Sequence, residues 1–179
     1  HIDKSIKERI LNAVNDSNCS LNSLGIGIFS AENLARYVFQ AKALDNYLIL
    51  RFITSNLIEI LYINDGLLTL YGQYRVSNQS LKPLKLIGDS KAKIKVSTCL
   101  EKIILKRNKK VTMIQKVFVY QSQGQSAFIK DLIKNNNNNY ILLNAFNYNS
   151  SKEYEASITD TLNHLSYAEL GHIFKGLYV

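Results

Sequence analysis

Apolar residues recur along this chain with two different spacings, and the switches between them outline its elements. In DKSIKERILNAVND, Ile6, Ile10, Ala13 and Val14 step three and four apart, so a short amphipathic helix is expected to open the chain. The turn-rich SNCSLNS follows, and then LGIGIF, a brief apolar run that reads as a strand. Helical spacing returns in SAENLARYVFQAKAL, with Ser30 as N-cap, Leu34, Tyr37, Val38 and Ala41 as the inward stripe, and Asp45-Asn46 closing it. LILRFI and LIEILYI then have strand character and are joined by the polar turn Thr54-Ser55-Asn56. Asn64-Asp65-Gly66 is the strongest hairpin signal, because glycine tolerates the positive φ such turns demand. With LLTLYGQYRV as a third strand, the stretch predicts a three-stranded antiparallel meander.

SNQSLKPLKLIGDS, around the only proline, Pro83, reads as a loop. KAKIKVSTCLEKIILKRNKK has β-branched content, but Val96, Cys99, Leu100, Ile103 and Ile104 keep helical spacing, so a helix is expected. VTMIQKVFVYQ supplies a strand, QSQGQ a loop at Gly124, and a short helix from Ser126 carries Phe128, Ile129, Leu132 and Ile133. The run Asn135 to Asn139 reads as a loop, since asparagine suits turns. YILLNAF is the last strand, and a helical tail runs to LSYAELGHIFKGL. Strand and helix alternating after a meander imply parallel strands added by crossovers: an α/β fold, a mixed sheet with flanking helices. At 179 residues the chain is expected to form one domain over 1–179, with 1–23 a helix and turn leading into it.

Composition narrows the class. With 46% hydrophobic and 20% charged residues the chain is globular in character, and its apolar runs fall short of the ~20 residues a membrane span requires. No signal peptide is expected. The sequence opens on His1 and reads as a piece of something longer, which leaves a span after Val179 open. Cys19 and Cys99 lack metal-binding or redox spacing and are expected to be free thiols in a reducing compartment. The net charge of +8 invites a nucleic-acid reading. Its cations are spread along the chain, however, and the densest run, Lys106 to Lys110, falls at the end of a predicted helix, where cations favour the macrodipole and solvent. An acidic protein or an anionic membrane surface accounts for the excess equally well.

A three-stranded meander followed by helix, strand, helix, strand and helix resembles one lobe of the actin-like ATPase fold, built on a ribonuclease-H-like core. IFSAENLARYVFQAK, the paired strands of NLIEILYINDGLLTLYGQYRV, the stretch KVFVYQSQGQSAFIKDLIKNNNNNYILLNAFNY and the terminal AELGHIFKGLYV resemble successive segments of the PilM family of type IV pilus proteins. The likeness extends over Gly25 to Val179 and takes in the cytoplasmic parts of the type II secretion GspL family and BfpC-type proteins of the bundle-forming pilus. A short, Asn-rich and Lys-rich cytoplasmic piece is most similar to the BfpC type. Membership of this PilM, GspL and BfpC group implies an actin-like cytoplasmic domain at the inner face of a bacterial inner membrane, in a membrane-anchored protein. It also implies two partners, the assembly ATPase and a polytopic inner-membrane platform protein.

The chemistry of an actin-like ATPase is a separate matter. The resemblance puts its phosphate-binding turn at Arg51-Phe52-Ile53-Thr54-Ser55-Asn56, which contains neither the aspartate that anchors the magnesium water shell nor the glycine that lets backbone approach phosphate. The adenosine loop would carry paired glycines, whereas QSQGQS has Gly124 alone. A ribonuclease-H-type nuclease needs converging carboxylates beginning on the first strand. That strand offers Arg51; Glu59 lies on the second, and Asp65 is explained by its turn. His164 and His172 lie eight apart with Glu169 between them, without the spacing of a zinc helix. No catalytic, metal or cofactor residue is therefore expected, and the chain reads as a non-enzymatic scaffold, with an actin-like ATP-binding protein and a basic nucleic-acid-binding domain as the alternatives. Tyr71, Tyr74 and Arg75 are the expected partner-binding residues, because aromatics and arginine are enriched where interfaces form.

Overall fold

The computed structural model describes residues 4–16, 27–77, 80–105, 114–121, 139–143 and 168. Helix α1 runs over Lys4–Asp16 and α2 over Gly27–Tyr37, followed by a single 3-10 turn at Ala41–Ala43. Strands β1 (Asn46–Thr54), β2 (Leu57–Asn64), β3 (Leu67–Val76) and β4 (Leu81–Gly88) come next. Helix α3 (Ser90–Ile104), β5 (Lys116–Gln121) and β6 (Tyr140–Leu142) complete the described elements. The strands form one sheet in the order β4-β3-β2-β1-β5-β6. Among the first four strands each neighbouring pair is antiparallel, and β5 and β6 run parallel to β1. The fold is thus α/β, a mixed six-stranded sheet with helices on its faces.

Each face has its own core because side chains alternate along a strand. Leu48, Leu50 and Phe52 of β1, Ile58, Ile60 and Tyr62 of β2, and Leu70 and Tyr74 of β3 point to one side and bury Val96, Cys99, Leu100, Ile103 and Ile104 of α3. Those five are the stripe that helical spacing predicted. Burying each of its aliphatic members contributes roughly 1.5–3 kcal/mol before ordering entropy is counted. Asp89 caps α3, its Oδ1 accepting from the Ala92 amide at 2.8 Å. On the other side Tyr47, Ile49, Leu61, Ile63, Phe118 and Tyr120 pack with Ile28, Ala31, Leu34, Ala35 and Val38 of and just beyond α2, and with Ala168. Tyr47 donates to Glu32 Oε1 at 2.7 Å, and Arg36 pairs with the same oxygen at 2.8 Å, tying α2 to the sheet.

The structure differs from expectation at three places. LGIGIF was expected to be a strand, yet Gly27 to Phe29 form the first turn of α2, with Ile28 fully buried. A short apolar run looks the same in a buried helix as in a buried strand. Ser30 consequently lies inside α2 and is buried, instead of capping it. The helix ends at Tyr37 rather than at Asp45-Asn46, with Gln40 in the left-handed region before the 3-10 turn, and Tyr37 stays half-exposed under Lys42.

The third difference matters most. Most of SNQSLKPLKLIGDS is strand β4, so the antiparallel part has four strands. Proline is admissible there because β4 is an edge strand and Pro83 sits beside a register shift, where a missing N–H costs nothing in the ladder. At its end Gly88 has φ +137, and an added Cβ would lie 2.2 Å from the Thr69 carbonyl oxygen. By contrast the Asp65-Gly66 turn is as expected, both residues having positive φ. The expected helix from Ser126, the glycine loop at Gly124, the basic run Lys106 to Lys110, Cys19, and the tail with His164, Glu169 and His172 lie outside the described residues.

Candidate partner-binding face

Helix α2 is narrower than the sheet it covers. The core beneath it draws on β1, β2 and β5, takes nothing from β4, and from β3 takes only half-buried Tyr71 at its margin. Among the described residues no helix packs on the same face of β3 and β4. Two strands span roughly 10 Å, close to the width of one helix.

A row of paired positions crosses this face. Tyr120 of β5 lies opposite Arg51 of β1, Arg51 opposite Glu59 of β2, Glu59 opposite Gln73 of β3, and Gln73 opposite Lys85 of β4. Glu59, at 6% exposure, is one of two buried polar residues among those described, the other being Ser30. Its burial is compensated by three donors: Arg51 Nη1 at 3.0 Å to Oε2, and the Tyr71 hydroxyl at 2.5 Å and Gln73 Nε2 at 3.2 Å to Oε1. Burial, followed by the bond to Glu59 and its charge, holds the Tyr71 hydroxyl well above the usual tyrosine range. Phe29 at the start of α2 stacks on Tyr71, ring centroids 6.4 Å apart and planes 14° from parallel. Tyr71 is thus fixed at both its ring and its hydroxyl, at the boundary between the covered and the open parts of the face.

The register shift in β4 decides what stands on the open part. Gln73 pairs with Lys85, but Tyr74 pairs with Pro83, so Leu84 is an extra residue. Without it, positions 82 and 85 would fall on opposite faces. With it, Lys85 lies opposite Gln73 and Lys82 opposite Arg75, which brings Arg75, Lys82 and Lys85 to register positions on the α2 face. All three are exposed. The described ion pairs are Lys4–Glu8, Glu32–Arg36 and Arg51–Glu59, so none of the three has an acidic partner among the described residues. Beside them Ile87, opposite Tyr71, is 56% exposed, Leu68 of β3 is 51% exposed and Phe29 is 37% exposed. The face combines an apolar end with a basic end.

Of the residues expected to meet a partner, the structure brings Tyr71 and Arg75 to this face and removes Tyr74 from it. Tyr74 lies opposite Ile58 on the α3 side, is 1% exposed and hydrogen-bonds Ser97 Oγ at 3.0 Å. Arg75 and Tyr74 are adjacent in a strand, so one had to be turned away from the other. Lys82, Lys85 and Ile87 were missed because their segment reads as a loop. A lysine-flanked proline in an otherwise apolar run, a pattern used on edge strands, was the available signal.

The turn where the resemblance puts a phosphate site is closed on itself. Thr54 donates to Asn56 Oδ1 at 2.7 Å, and the Asn56 carbonyl accepts from the Val76 amide at 2.8 Å. Neither Ser55 nor Asn56 has positive φ. Arg51 and Glu59, the charged groups nearest this turn along β1 and β2, are bonded to each other. Among the described residues no three His, Cys, Asp or Glu side chains gather as metal ligands, and no helix is long and apolar enough to cross a membrane. No protein-family model matches this chain, and no curated protein or solved structure does so either.

Proposed function

We propose that the chain is a non-enzymatic docking domain, an actin-like lobe of the PilM, GspL and BfpC type. In this reading it works at the cytoplasmic face of a bacterial inner membrane, joining the assembly ATPase of a type IV pilus or type II secretion machine to its polytopic platform protein. Support for the lobe comes from element order: an antiparallel meander, then α3, then two strands parallel to β1 on its far side. This agrees with part of the order on which the resemblance rests, with β4 added at the edge; the helices expected between and after the last two strands lie outside the described residues.

The observation that carries the docking role is the open face of β3 and β4. There exposed aliphatic and aromatic groups adjoin three cations that have no acidic partner among the described residues, a composition suited to a protein interface. Turnover of nucleotide has less to draw on. The Thr54-Ser55-Asn56 turn offers no carboxylate and no glycine, and Glu59 already accepts from three donors. The test is calorimetric titration of the chain with the assembly ATPase and with the platform protein of the same gene cluster. Saturable binding to at least one is expected; absence of binding to both would overturn the proposal. Binding to DNA or RNA that falls steeply with salt would instead favour the nucleic-acid alternative.

A further inference from the structure

From the strip of sheet beside α2 that no described helix covers we infer the kind of partner it takes: an acidic amphipathic helix lying across β3 and β4, next to α2. The inference rests on the docking role proposed above but not on which machine the chain serves.

Three features select that occupant. The open strip is two strands wide, roughly 10 Å, and α2 already shows how a helix sits on this face. Its apolar end, Phe29, Leu68, Tyr71 and Ile87, offers a helix a stripe to bury against. Its basic end, Arg75, Lys82 and Lys85, calls for carboxylates. From Arg75 to Gly88 the chain carries these three cations and no acid. A second copy of this chain, itself at +8, would be repelled. An extended strand added to the β4 edge is disfavoured by Pro83, by the extra residue at Leu84 and by the flanking lysines, devices that keep edge strands from pairing. A helix needs none of the edge's backbone groups.

The test is titration of the isotope-labelled full chain, followed by NMR. The first probe is a synthetic helical peptide with a Leu/Ile stripe flanked by glutamates, and the second is its lysine-for-glutamate twin. The third is vesicles of phosphatidylglycerol and phosphatidylethanolamine. The acidic peptide is expected to shift the amide signals of Tyr71, Gln73, Arg75, Lys82, Lys85 and Ile87, and the twin is not. Combining Arg75→Glu, Lys82→Glu and Lys85→Glu should weaken peptide binding at least tenfold, and Ile87→Ser alone should weaken it several-fold. Because Ile87 is half-exposed, that variant keeps the test meaningful if the triple variant folds poorly. Equal binding of the twin, shifts confined to the lysines of α3, or vesicle binding in place of peptide binding would overturn the inference. So would assembly partners binding the native chain and the triple variant equally well, an outcome that leaves the docking role standing and moves it to another surface.

Discussion

Tyr71 donates its hydroxyl hydrogen to Glu59 at 2.5 Å, reaching from β3 to the neighbouring β2. Arg51 approaches the same carboxylate from β1 at 3.0 Å, so three adjacent strands share one buried charge. A group of this kind fixes register more than it adds stability, since slipping either strand by one residue would bury Glu59 without donors.

Removing the carboxylate should therefore be costly. Glu59→Ala is expected to lose about 2–4 kcal/mol, somewhat under the range for a fully buried pair because Arg51 keeps contact with solvent. Tyr71→Phe, which leaves Glu59 two donors, should cost about 1 kcal/mol. Urea unfolding of the two variants checks the order.

Tyr71 and Tyr74 should separate by role. Tyr74→Phe removes the bond to Ser97 beneath α3 and is expected to cost about 1 kcal/mol while leaving partner binding unchanged. Tyr71→Ala should weaken binding, because it removes the ring that borders the open face. Calorimetry beside thermal unfolding distinguishes the two.

Alkaline pH should unfold the chain in a defined window. Burial pushes the Cys99 thiol from its ordinary 9.0 up to about 12, and the Tyr140 hydroxyl from 10.0 up to about 12. Groups whose folded pKa is raised contribute stability that is fully present below the unfolded value and lost as pH climbs to the folded one. The unfolding midpoint is thus expected to hold up to pH 9 from these groups and fall between 9 and 12. Cys99→Ala should flatten the onset of that fall. Below pH 9 the native thiol should react with a disulfide reagent only at the rate of opening, since Cys99 is 4% exposed.

Two glycines give a contrast. Gly88→Ala places a methyl against the Thr69 carbonyl at a positive φ, and is expected to cost at least about 2 kcal/mol. Gly66→Ala meets nothing within 4 Å and carries only the left-handed backbone penalty, about 1 kcal/mol. Chemical denaturation of the pair measures the difference.

Much of this architecture was legible because the spacing was clean. The stripe from Val96 to Ile104 selects a helix despite its β-branched residues, and Asp65-Gly66 fixes the hairpin through positive φ. What was not legible depends on neighbours distant in sequence. Pro83 reads as a breaker until β3 is seen beside it, and the extra residue at Leu84, which turns Lys82 and Lys85 to one face, leaves no mark in the chain itself. Tyr71 and Tyr74 are both aromatics of one strand, and only α3 over one side and the edge of the α2 core on the other tell them apart. Glu59 was seen as a lone acid on β2; its donors come from β1 and β3, which only register reveals.

Calorimetric titration of the chain with ATP and magnesium tests most directly whether this fold is a docking platform and not a nucleotide machine. No saturable heat is expected up to millimolar ATP, with or without magnesium. Saturable, magnesium-dependent binding that is lost on changing Thr54 to valine would contradict it.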